Sequence, residues 1–248
     1  METLLPHLPA IAATFVLAGI VKGVIGLGLP TVAMGLLGLV MPPAQAAVLL
    51  LVPSLVTNVW QLVTGPKFAA LARRLWSMML AICVGTWVAS GVMTGEGVHL
   101  ATACLGGALA LYALTGLARL RLRVPARSER WAGPAIGAAT GLVTGATGVF
   151  AMPAVPYLAA LGLERDELIQ ALGLAFTVAT VALGIGLAWH HALPLQGAGA
   201  SVIAVIPALA GMLAGGWLRA RVHPETFRKC FFAGLLVLGA ELIWRGVA

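Results

Sequence analysis

Charge is scarce in this sequence: 8 acidic and 15 basic residues among 248, or 9% of the chain. Soluble domains carry about 25% charged residues, so an ordinary soluble enzyme and a disordered chain are both excluded. Cysteine is scarce as well. Cys83, Cys104 and Cys230 share no CxxC or Cys/His spacing, which excludes a disulfide scaffold or a zinc module; they read as small buried apolar side chains. The serines are Ser54, Ser77, Ser90, Ser128 and Ser201, none in a GxSG context. An intramembrane hydrolase needs a serine and a histidine within reach on membrane helices, and that pattern is missing. Met1-Glu2-Thr3 lacks a basic signal-peptide start, so the first apolar segment is expected to stay in the protein. Nothing in the sequence calls for a cofactor or a metal.

What remains is apolar: 60% of residues are hydrophobic and the mean hydropathy is +1.01. About 20 apolar residues cross a ~30 Å hydrocarbon core as a helix. Apolar segments fall at roughly 8–40, 44–64, 74–93, 98–118, 133–162, 167–189, 197–218 and 229–247. The expected fold is an all-α integral membrane bundle in the cell's inner (plasma) membrane. The formal charge of +7 therefore speaks for loops facing anionic headgroups, not for nucleic acid. Trp60, Trp87, Trp189 and Trp217 lie towards segment ends and fit an interfacial belt. Self-association is left open.

Six segments have the length of one crossing; the first and fifth are too long, and both are interrupted. One interruption reads Gly19-Ile20-Val21-Lys22-Gly23-Val24-Ile25-Gly26-Leu27-Gly28-Leu29-Pro30, the other Gly141-Leu142-Val143-Thr144-Gly145-Ala146-Thr147-Gly148. An offset of 122 superposes Gly19 on Gly141, Gly23 on Gly145 and Gly26 on Gly148. Gln45-Ala46 matches Gln170-Ala171, and Gly85 with Trp87 matches Gly215 with Trp217, the offset drifting to 130. The series predicts two homologous halves, 1–125 and 126–248.

Charge placement decides their orientation. If every segment crosses once, Arg165, Arg219, Arg221, Arg228 and Lys229 fall opposite Lys67, Arg73, Arg74 and the Arg119–Arg130 loop, against the positive-inside rule. If the first and fifth segments are broken and re-entrant, leaving by the face they enter, all of these become cytoplasmic and the halves are inverted repeats. Only Arg245 is then outside, with the N-terminus, His190-His191 and the C-terminus. This second arrangement is the expected one.

Backbone interrupted inside a bilayer must be buried in protein or line a cavity. Paired, glycine-interrupted segments in two inverted halves point to a transporter's substrate site near the midplane, with half-helix N-termini suited to an anion. Lys22 is the one basic residue deep in an apolar run. The acids, Glu2, Glu96, Glu129, Glu164, Asp166, Glu167, Glu225 and Glu241, all sit at termini, loops or segment ends. A lysine without a carboxylate partner suits an anionic substrate that brings the countercharge; the competing reading is snorkelling to an interface. The equivalent position is Thr144. The candidate substrate-binding residues are Lys22, Gly23, Gly26, Gly28, Thr31, Asn58, Thr144, Gly145, Thr147, Gly148 and Thr177. For Gly19 and Gly23, close helix packing is the alternative role. No carboxylate lies mid-membrane for proton coupling, Glu241 being the nearest.

The pattern G-x-V-K-G-x-x-G-x-G-x-P-T from Gly19 to Thr31, its copy at Gly141–Gly148, and P-x-x-x-T-N-x-x-Q from Pro53 to Gln61 resemble the TauE/SafE sulfite exporter family. The likeness runs over essentially the whole chain. It departs at Leu27-Gly28-Leu29-Pro30 and at Val149-Phe150, where the family often has denser glycine. The resemblance implies a permease, not an enzyme, that exports sulfite, an organosulfonate or another small anion; the broken segments and Lys22 lead to the expectation of alternating access at their site. An anion channel, or a carrier for a different small carboxylate or anion, is the alternative. The inverted arrangement predicts that a tag on Met1 is accessible from outside intact cells; labelling only after permeabilisation overturns it.

Overall fold

The computed structural model describes residues 8–94, 97–118, 123–193 and 195–247. Met1, Glu2, Glu96, Arg119 and Arg121, on which some of the expectations fall, lie outside them. The described regular structure is helical, without strands. In order the helices are α1 (Leu8–Ile25), α2 (Leu29–Leu37), α3 (Pro43–Val63), α4 (Phe68–Ala89), α5 (Val98–Leu117), α6 (Ala126–Thr147), α7 (Ala154–Ala160), α8 (Arg165–Trp189), α9 (Leu195–Ile203), α10 (Val205–Arg219) and α11 (Pro224–Val247). Among the described residues, 7 stretches are long and apolar enough to cross a membrane, and the chain is a multi-pass membrane protein. α6 is not one of them, because its first turns carry Arg127, Glu129 and Arg130.

The first and fifth segments each divide into a long helix and a short one. α1 ends where the Gly26 N–H bonds the Lys22 carbonyl at 2.8 Å, and Gly26 takes φ 81°. α6 ends in the same way, with the Gly148 N–H on the Thr144 carbonyl at 2.8 Å and φ 70°. Left-handed backbone of this kind is open to glycine at little cost. α2 then starts at Leu29, one residue before Pro30, and α7 at Ala154, just after Pro153.

Helix packing follows the glycines. α1 lies along α10, and α4 along α6. A Cβ on Gly19 would stand 2.2 Å from the Ala208 carbonyl oxygen, and one on Gly23 2.3 Å from that of Met212. In the other pair, Gly141 meets the Ile82 carbonyl at 2.4 Å and Gly145 that of Thr86 at 2.4 Å. Such contacts require glycine and bring backbones together as small residues do between membrane helices. Gly19 to Gly141 is the expected offset of 122, but Ile82 to Ala208 is 126. Gly85 on Ala138 accordingly corresponds to Gly211 on Val16. By this packing Gly85 pairs with Gly211, one helical turn from the expected Gly215, since both α10 glycines lie on the face against α1. In the α5–α11 crossing a Cβ on Gly106 would meet the Gly239 carbonyl at 2.6 Å, and one on Gly239 that of Gly106 at 2.7 Å. α3 packs on α8.

Hydrogen bonds fix the ends. Gln170 of α8 accepts the Lys67 N–H at 2.8 Å and donates to the Leu62 carbonyl at 2.8 Å, capping α3. Lys67 also pairs with Glu167, whose hydrogen bond holds the Lys67 ammonium above the usual lysine range. Arg74 grips Glu129 at 2.6 and 2.9 Å and the Leu161 carbonyl at 3.5 Å, while the Val124 N–H bonds the Ala160 carbonyl at 3.1 Å. The start of α6 and the end of α7 therefore meet at one end of the bundle, the basic end. At the other end Arg245 bonds Glu241 at 2.8 Å and the Leu39 carbonyl at 2.9 Å. Glu241 is thus an exposed ion-pair member, not a buried proton site.

One further expectation changes. Cys230 is exposed and Cys83 and Cys104 are half-buried, because the thiols lie on the outer faces of their helices. Ser201 has a backbone role. Pro53 inside α3 has no N–H, which leaves the Leu49 carbonyl without its helical partner. The Ser201 hydroxyl donates to that carbonyl at 2.9 Å and accepts the Val52 N–H at 3.1 Å. Ser201→Ala is therefore expected to cost about 1–3 kcal/mol of stability. Thermal unfolding of the purified protein in detergent, with exposed Ser128→Ala as the comparison, measures it.

Candidate functional site

Gly19 and Gly23 hold one face of α1 against α10, so Lys22, about 100° around the helix from Gly23, is turned towards α3. It is 3% exposed. Its Nζ donates to Thr57 Oγ1 at 3.0 Å and to Asn58 Oδ1. The Thr57 hydroxyl spends its proton on the Pro53 carbonyl at 2.8 Å, which leaves its lone pairs for the ammonium. One turn on, Gln61 Nε2 donates to the Gly26 carbonyl at 2.6 Å and ties α3 to the first break. Ser54, Thr57, Asn58 and Gln61 stand at i, i+3, i+4 and i+7, one polar stripe on α3.

The stripe is under-satisfied. Lysine only donates, so Asn58 must turn its oxygen to Lys22, and its two Nδ2 hydrogens have no partner. Ser54 Oγ and Gln61 Oε1 are buried and unpartnered too. Unpaired buried polar atoms each cost about 1–3 kcal/mol. No carboxylate bonds Lys22: its two partners are neutral. A buried ammonium, an amide NH2 and a hydroxyl form a donor-rich cluster of the chemistry an oxyanion accepts from.

Depth follows from the chain. Asn58 lies five residues from the end of α3 at Val63, about 8 Å along the axis at 1.5 Å per residue. α3 has 21 residues, so Asn58 stands as far from the helix middle at Pro53 as from its basic end. Gly26 and Leu27, just beyond it, border a chamber of about 610 Å³ between α1, α5, α7, α8 and α11, with Arg165, Arg219 and Arg228 in its lining.

The structure joins Lys22 and Asn58 and gives the other candidates different surroundings. Gly23 and Gly145 sit in helix crossings. Gly26, Gly28 and Gly148 form the breaks, Gly28 with φ 103°, and Gly148 lies against the Met34 side chain of α2. Thr31 is buried in the first turn of α2. The Thr144 hydroxyl bonds the Thr140 carbonyl at 2.7 Å and that of Val149 at 3.4 Å. Thr147 bonds the Val143 carbonyl at 2.6 Å and accepts the Val149 N–H at 3.2 Å. Thr177 bonds the Gly173 carbonyl at 2.7 Å. These hydroxyls serve their own backbone. Ser54, Thr57 and Gln61 were not among the candidates; the signal that would have found them is their helical spacing around Asn58.

An unpaired buried charge makes the empty site costly. Lys22→Met, of similar length and apolar, is expected to stabilise the empty protein by about 1–4 kcal/mol. Asn58→Leu, which removes a partner and leaves the ammonium, is expected to destabilise it. Melting temperatures in detergent without added anions check both signs.

No curated protein and no solved structure matches this chain. One family model does, that of the sulfite exporter TauE/SafE, over residues 11–242. With 7 membrane-crossing stretches and a match over nearly its whole length, the chain belongs to the TauE/SafE sulfite exporter family of membrane transporters.

Proposed function

We propose that the protein is a secondary transporter that exports a small anion, sulfite or an organosulfonate, by alternating access, with Lys22 at the substrate site. One observation carries this reading: a fully enclosed ammonium bonded only to neutral groups, beside an amide with two free donors. A bound oxyanion would complete the site, neutralising Lys22 and taking up the Asn58 Nδ2 hydrogens. Gly26 and Gly28 let the chain turn beside it, and the α2 N-terminus with Thr31 follows directly.

The two halves, 1–125 and 126–248, are read as inverted repeats. Support comes from paired packing: α1 on α10 as α6 on α4, and α5 on α11 through reciprocal Gly106 and Gly239 contacts. The α6–α7 pair is read as re-entrant, since its two ends are hydrogen-bonded together at Val124 and Ala160. The basic end is assigned to the cytoplasm by the positive-inside rule. Thr144, in the position of Lys22, makes the paired site uncharged, so the second half contributes Thr144, Gly145, Thr147, Gly148 and Thr177 chiefly as its scaffold. Rocking of one half on the other would expose Lys22 to each side in turn.

Counterflow in proteoliposomes tests the reading. Sulfite or sulfoacetate should exchange, and Lys22→Ala should weaken the apparent affinity by about 10- to 100-fold, as loss of a charged hydrogen bond implies. Undiminished transport by Lys22→Ala removes the site from Lys22. Resolvable single-channel currents in a planar bilayer would replace the carrier by a channel.

A further inference from the structure

We infer that the 610 Å³ chamber at the basic end is a capture site for organic anions bearing an apolar tail of several carbons. The inference rests on the carrier reading only in taking Lys22 as the next stop. The chamber has two kinds of wall. Arg165 opens α8, Arg219 closes α10 and Arg228 lies early in α11. Three arginines from three elements thus border one space, and no acidic residue is among those that line it. Planar guanidinium forks bind sulfonate, carboxylate and phosphate oxygens in pairs. The remaining wall is apolar, with Val155, Leu172 and Phe232 among its residues. Phe232 is set in place by Tyr112, ring centroids 5.3 Å apart, edge to face. Gly26 and Leu27 form the far side, one turn from Lys22.

An oxyanion as small as sulfite fills a minor part of such a space, which has the size of a small-molecule pocket. It would leave the apolar wall uncovered. An anion with an apolar tail satisfies both walls at once. The same chemistry is offered by an anionic lipid headgroup. The walls, however, come from α1 and α5 of the first half and α7, α8, α10 and α11 of the second, so the chamber is a cleft among several helices and not a patch on one. This favours a soluble amphiphile entering from the basic end.

Binding of radiolabelled methanesulfonate and hexanesulfonate to the full-length protein in neutral detergent tests this. An enclosed methylene adds roughly fourfold in affinity, so hexanesulfonate should bind more than about 30-fold tighter than methanesulfonate. The double variant Arg165→Gln/Arg228→Gln should weaken both ligands by about tenfold or more, as lost charged hydrogen bonds do. Leu172→Trp, which fills the chamber, should weaken hexanesulfonate alone; Val155→Trp is the second such variant should the first not fold. Equal binding of the two sulfonates, or hexanesulfonate binding indifferent to these variants, overturns the proposal. So does competitive loss of hexanesulfonate in nanodiscs of phosphatidylglycerol but not of phosphatidylcholine, which assigns the chamber to lipid. Counterflow without a chain-length effect removes the chamber and leaves the carrier; chain-length-dependent binding without counterflow does the reverse.

Discussion

A bundle in lipid has no water with which to hide an unpaired charge, and the Lys22 ammonium is the point at which this constraint bears hardest. Moving such a group into a low-dielectric interior costs several kcal/mol per ion even after relaxation. The surrounding sequence softens that cost without removing it. Thr57 and Asn58 supply oxygen atoms, Gln61 pins the end of α1, and Pro53 lies one turn back on the same helix. The two acceptors are dipoles, not charges. The cluster is held in place and still leaves buried polar atoms without partners, which is what the proposed anion would supply.

The rest of the bundle holds that arrangement still. Backbone-to-backbone approach at Gly19 and Gly23 sets the rotation of α1, and hence the direction Lys22 faces. Ser201 repairs the helix ladder that Pro53 breaks, and Gln170 closes the end of α3 just past the polar stripe. Each of these supports acts on α1 or α3, the two helices that meet at the ammonium.

Much of this was legible in the sequence, and the limits of that legibility have physical causes. Length and hydropathy gave the membrane segments because a crossing needs a fixed number of apolar residues. Two of the breaks were visible because only glycine turns so readily, and Lys22 stood out because charge is rare in such a chain. Helix register was not visible. Glycines spaced a turn apart on α10 allow more than one alignment, and only the packed carbonyls of Ile82 and Ala208 choose 126. Nor could the sequence show which hydroxyls are free. Thr144, Thr147 and Thr177 look like ligands in one dimension, but membrane helices readily bond such groups to their own carbonyls.

The charge on Lys22 has no counterpart at Thr144, and this inequality decides how a carrier of this design feels the membrane potential. A monovalent anion beside the ammonium makes the loaded site electrically neutral, so the voltage does no work on its passage. In the proposed carrier, an empty site with Lys22 protonated would carry one positive charge, worth about 2.3 kcal/mol per 100 mV across the full field. A cytoplasm held negative would then draw the unloaded site inward. Voltage would set the pace of the return stroke, and the anion's own gradient that of the outward one.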